Sequence, residues 1–157
     1  MVQLEGGCSC GAVRYRLKDR PMFTNCCHCL DCQRQTGGAF AINAIIETDQ
    51  IDMIGEAPVP VRMPTDSGRP HDIYRCSNCQ TAVWSDYGGR PWARFVRVAT
   101  LDDPTAIAPD AHIFARSKQP WVLLPTDARV FQVFYDMATE WPAASLARRQ
   151  AAMTAPA

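Results

Sequence analysis

Eight cysteines constrain this chain more than any other feature of its sequence. They fall into three groups: Cys8-Ser9-Cys10-Gly11, Cys26-Cys27-His28-Cys29-Leu30-Asp31-Cys32 and Cys76-Ser77-Asn78-Cys79. A C-x-x-C turn lets two sulfurs reach one metal ion. A C-x-C pair does the same in an extended segment, because side chains at i and i+2 share a face. Cys8 and Cys10 therefore point together, and so do Cys27 and Cys29, while Cys26 and His28 point the other way. Cys8, Cys10, Cys76 and Cys79 make a natural four-sulfur zinc site, a closed and structural kind that stabilises a fold directly. Gly11 helps the backbone turn back toward it. Cys27, Cys29 and Cys32 remain as a three-sulfur set, whose fourth position is open for water or substrate, as in catalytic zinc sites. Cys26 or a carboxylate could close that position. The more ordinary role for Cys26 is a small buried hydrophobe.

Two other uses of the thiols are weaker. Disulfides between C-x-C neighbours are strained, and reducing compartments do not support them. A redox C-x-x-C usually opens a helix beside a parallel sheet, whereas Cys76 to Cys79 lies between two strand-like runs. The first residues, Met1-Val2-Gln3-Leu4-Glu5-Gly6-Gly7, have no basic start and no apolar stretch. They predict no secretory signal and a cytoplasmic protein. The longest apolar stretch, Ala39 to Ile46, is broken by Asn43 and is too short to span a bilayer. Lys+Arg and Asp+Glu both number 16, so no net field favours nucleic acid or an anionic membrane.

At 157 residues and 47% hydrophobic, the chain suits a single domain with its own core, placed at residues 4–150, with 151–157 as a frayed tail. Val13, Tyr15 and Leu17 alternate with Arg14, Arg16 and Lys18, which predicts a half-buried strand within Cys10 to Leu17. Ala39 to Glu47 reads as a strand buried on both faces. Further strands are expected at Asp72 to Arg75, Ala82 to Trp84, Ala93 to Thr100, Ala111 to Ala115 and Ala128 to Tyr135. Ala57 to Pro70 holds four prolines and reads as a long surface loop. The one convincing helix is Ala143 to Ala151, with Pro142 at its start. The sum is a mainly antiparallel β domain with a short C-terminal helix.

The segments Gly7-Cys8-Ser9-Cys10-Gly11-Ala12-Val13-Arg14-Tyr15, Cys27-His28-Cys29-Leu30-Asp31-Cys32-Gln33 and Cys76-Ser77-Asn78-Cys79 resemble the glutathione-dependent formaldehyde-activating enzyme family. Centromere protein V belongs to the same superfamily. The likeness continues through Thr36-Gly37 and His112-Ile113-Phe114. It departs at Gln80, where the family often has glycine. The resemblance implies an Mss4-like, zinc-stapled β fold with two zinc ions per chain. A structural zinc would sit at Cys8, Cys10, Cys76 and Cys79, and a second at Cys27, Cys29 and Cys32, the candidate catalytic residues. The implied activity is that of a carbon–sulfur lyase run in the synthetic direction, adding glutathione to formaldehyde.

Supporting residues are less sharply marked. His28 should face away from the metal. His112 is either a general acid or, preferably, a hydrogen-bonded structural histidine, and His71 reads as an exposed loop residue. Arg116 and Lys118 could hold the carboxylates of a peptide-like thiol, although a solvated turn is the plainer reading. Arg148-Arg149 suits a helix C-terminus, and Trp84, Trp92, Trp121 and Trp141 suit a core or an interface. The leading reading is an enzyme acting on a small thiol and an aldehyde, without nucleic acid or membrane partners. The competing one is a non-catalytic, zinc-scaffolded protein-interaction module, and a thiol redox sensor ranks last. Closure of the fourth position would favour the module.

Overall fold

The computed structural model describes residues 4–155. Ten strands form two sheets: β1 (Leu4–Gly7), β2 (Arg14–Leu17), β3 (Phe23–Cys27), β4 (Ala41–Glu47), β5 (Ile51–Met53), β6 (Val59–Met63), β7 (His71–Arg75), β8 (Ala82–Tyr87), β9 (Ala93–Arg97) and β10 (Ala111–Ile113). Strands β1, β2 and β5 make a three-stranded sheet, and the rest make a seven-stranded one in the order β10-β3-β4-β9-β8-β7-β6. All pairings are antiparallel except β10 with β3. The mainly β expectation therefore holds.

One core lies between the sheets. Tyr15 and Leu17 from the smaller sheet, with Val13 just before β2, meet Ala44, Ile46, Trp84 and Val96 from the larger. Gly7 permits a tight hairpin end beside the first cysteines. A Cβ there would lie 2.2 Å from the Val13 carbonyl oxygen, the group that accepts the Cys8 N–H. The second core covers the opposite face of the large sheet, where Phe23, Ile45, Ala93 and Ile113 meet Tyr135 and Trp141. Phe23 stacks on Trp141 with ring centroids 5.3 Å apart. Period-two alternation along β4 sends Ala44 and Ile46 to one core and Ile45 to the other.

Three α-helices complete the fold among the described residues: α1 (Leu30–Thr36), α2 (Met137–Glu140) and α3 (Ala143–Thr154). The last helix runs three residues beyond the expected Ala151, into the segment read as a tail; residues 156–157 lie outside the described residues. It is anchored by a bidentate pair between Arg148 and Glu47 at 2.7 and 2.6 Å. Arg148 thus sits in mid-helix with a carboxylate partner, not at a helix C-terminus. The loop expected at Ala57 to Pro70 contains the edge strand β6, which tolerates Pro60 because an edge needs fewer ladder donors. The strand expected at Ala128 to Tyr135 is irregular, and of it only Val130 bridges His112. Its aromatic residues pack as a cover, with Phe131 and Phe134 against Tyr135. Trp84 and Trp141 are core residues, whereas Trp121 is exposed.

Candidate metal centres and cleft

The chain brings its cysteines together in two sets. Cys8, Cys10, Cys76 and Cys79 place their sulfurs within 4.8 Å of one another. Cys8 and Cys10 lie 3.5 Å apart, and Cys10 and Cys76 3.8 Å apart. A tetrahedron with metal–sulfur bonds of about 2.3 Å needs sulfurs about 3.8 Å apart, so this set fits zinc and no disulfide forms within it. The Val13 N–H donates to Cys8 Sγ. The Thr81 hydroxyl, 3.2 Å from Cys79 Sγ, pulls that thiol down to about 5. Gln80 occupies the left-handed region with φ 63°, the conformation that explains why glycine is usual there.

Cys27, Cys29 and Cys32 form the second set, again within 4.8 Å. Cys27 ends β3, Cys29 is the N-cap of α1, and Cys32 lies in its first turn. Cys29 Sγ accepts the Cys32 N–H at 3.3 Å. Contact with Cys27 and then Cys32 holds the Cys29 thiol far below its ordinary range, and the same contact with Cys29 drives Cys27 up. Three sulfurs so close share their protons unequally, and a cation is what lets all three ionise. No fourth Cys, His or carboxylate joins this set among the described residues. Cys26 belongs elsewhere, with His28 and His112.

The three sulfurs line a cleft of about 760 Å³ on the outer face of the large sheet. Its floor is a polar row that sequence reasoning missed. Asn25 on β3, Asn43 on β4 and Arg97 on β9 are cross-strand neighbours. Asn25 Oδ1 accepts the Tyr135 hydroxyl at 2.9 Å, and Asn43 Oδ1 accepts Arg97 Nη1. Each amide oxygen is thereby engaged, which leaves the NH₂ end of each amide as a donor for a ligand in the cleft. Arg97 is 7% exposed, and its Nε has no partner among the described residues. Four arginines, Arg69, Arg90, Arg97 and Arg116, line the cleft against two aspartates, Asp31 and Asp66, so it favours an anion.

His71, expected to be exposed, is buried at the start of β7, lines the cleft and meets Tyr87 edge-on. Burial lowers its pKa, which keeps it neutral. Arg116 reaches the cleft, while Lys118 donates to the Val122 and Gln119 carbonyls and closes a turn. Gln33 ties the cysteine helix to the cleft wall by donating to the carbonyls of His28 at 2.8 Å and Ser117 at 2.9 Å. Phe114 lines the cleft in a left-handed conformation, φ 54°, which strains a bulky residue.

The model of the family described as "Glutathione-dependent formaldehyde-activating enzyme" matches residues 3–117. The chain belongs to this family. A Halomonas elongata protein provisionally named glutathione-dependent formaldehyde-activating enzyme is 30% identical over 126 residues, covering 76% of this chain and 79% of its own. A solved structure of a Rhodobacter sphaeroides protein aligns with 67% of this chain and 91% of its own at 20% identity, with a TM-score of 0.49. The match to the glutathione-dependent formaldehyde-activating enzyme family spans all three cysteine groups, the polar row and His112. It ends before the aromatic cover and α3. No helix among the described residues is long and apolar enough to cross a membrane.

Proposed function

We propose that this chain adds the thiol of glutathione, or of a similar acidic thiol, to formaldehyde or another small aldehyde. One observation carries the reading: a three-cysteine set with no fourth protein donor among the described residues opens into a large cleft rich in arginine. A closed scaffold for protein interaction needs neither feature.

Cys27, Cys29 and Cys32 would hold zinc, which when bound supplies an open position that ionises a thiol and polarises a carbonyl. The remaining work falls to the chain. Arg69, Arg90 and Arg116 attract and orient substrate carboxylates. Phe95, Phe114 and Phe134 narrow the apolar side and exclude water. As the carbon–sulfur bond forms, the carbonyl π pair moves onto oxygen. Arg97 and the amides of Asn25 and Asn43 are donors suited to that developing charge. The thiol's proton leaves to water and the oxygen takes one back from water, giving the S-hydroxymethyl adduct with every atom of thiol and aldehyde retained. His28 and His112 lie on the other face of the sheet and do not serve as the acid.

Native mass spectrometry of the zinc-loaded protein with glutathione tests the binding half. The expected spectrum shows a one-to-one adduct that Cys29→Ser abolishes. An adduct absent from the wild type, or undiminished in the variant, contradicts the reading.

A further inference from the structure

The face of the large sheet opposite the cleft carries a third convergence of donor atoms. Cys26 and His28 are two residues apart along the chain from β3, and His112 on β10 is the direct cross-strand neighbour of Cys26. Adjacent-strand partners and i, i+2 neighbours share a face, so the backbone alone aims all three side chains at one point. Cys26 Sγ lies 3.6 Å from His28 Nε2, and His28 Nε2 lies 3.0 Å from His112 Nδ1. Cys26 and His28 are 1% and 0% exposed. The backbone is held as well: the His28 N–H donates to the Ile113 carbonyl, and its own carbonyl accepts from Gln33 and Ser117.

Hydrogen bonding accounts for only part of this arrangement. One proton can be shared between the two imidazoles. The thiol then approaches the same His28 nitrogen at 3.6 Å, so Cys26 and His112 converge on one ring nitrogen that can make a single in-plane hydrogen bond. Tetrahedral zinc asks for a sulfur–nitrogen separation of about 3.6 Å and a nitrogen–nitrogen separation of about 3.3 Å, close to what the chain presents. One thiolate and two neutral imidazoles are a borderline-soft set that suits zinc or cobalt and not calcium or magnesium.

We propose that Cys26, His28 and His112 form a third metal site for a divalent transition ion of the zinc class. The site is separate from both cysteine sets and independent of the catalytic reading. Its ion would clamp β10 to β3 and so fix Ile113 and Phe114, which line the cleft on the other side.

The test is a metal count by native mass spectrometry after saturation with Zn²⁺ and removal of free metal, on the wild type, Cys26→Ser and His112→Gln. The wild type should retain one zinc more than either variant, and a zinc-edge anomalous map of wild-type crystals should peak among the three side chains. The wild-type map needs no variant to fold. Equal counts in folded variants, or a map without that peak, overturn the proposal.

Discussion

Asn43 and Arg97 stand directly opposite each other on β4 and β9, and the Arg97 guanidinium donates to the Asn43 carbonyl oxygen. The arginine is buried and lines the cleft, and its side-chain partner among the described residues is this amide and not a carboxylate. A buried charge held without a counter-ion costs stability, so the geometry reads as a site kept for an anion. Arg97→Met should raise stability by on the order of 1 kcal/mol while lowering kcat/KM roughly 100-fold. Thermal melts alongside turnover measure both, and a variant with undiminished turnover refutes the assignment.

Cys76→Ser removes a sulfur from the four-cysteine set, which ties the turn after β1 to the turn after β7. Zinc affinity in such a set is folding energy, on the order of 10 kcal/mol. The variant should hold one zinc fewer and lose its cooperative thermal transition in circular dichroism. Cys32→Ser, by contrast, should keep that transition.

Arg148→Ala should cost about 2 kcal/mol, read as a lower urea midpoint. Glu47 is 8% exposed and would lose its bidentate partner. The arginine side chain is 28% exposed, which limits the loss. Arg148→Lys should recover only part of it, since one ammonium cannot reproduce the fork.

Gln80→Val should destabilise by about 1–2 kcal/mol, because a β-branched side chain fits poorly at φ 63°. Gln80→Gly should not. Paired denaturation curves separate the two, and equal losses would show that the Gln80 side chain matters instead, through its bond to the Ser77 carbonyl.

The cysteine groups were legible because ligand spacing is local: C-x-C and C-x-x-C dictate which sulfurs can meet before any tertiary structure is known. The opposite aim of Cys26 and His28 followed from the same alternation. Strands with clean patterns, such as Ala41–Glu47, were also legible. The polar row was not, since it is assembled across three strands. Its one local trace is Asn43, a polar break in an apolar run. β3 was missed because Phe23-Thr24-Asn25-Cys26-Cys27 is buried on both faces yet mixes polar residues, so it shows no alternation. His71 was misplaced because Arg69-Pro70 signals a loop, while in the fold it opens β7 and pairs across the sheet with Tyr87, which no local pattern reveals.

In the proposed reaction a thiol meets an aldehyde at Cys27, Cys29 and Cys32. Two-dimensional exchange NMR on formaldehyde and glutathione, with and without the zinc-loaded protein, tests it most directly. Faster interconversion with S-hydroxymethylglutathione by the wild type, lost in Cys27→Ser together with one zinc, is the predicted result. Exchange no faster than in buffer, or a Cys27→Ser variant with wild-type turnover and metal content, would contradict it.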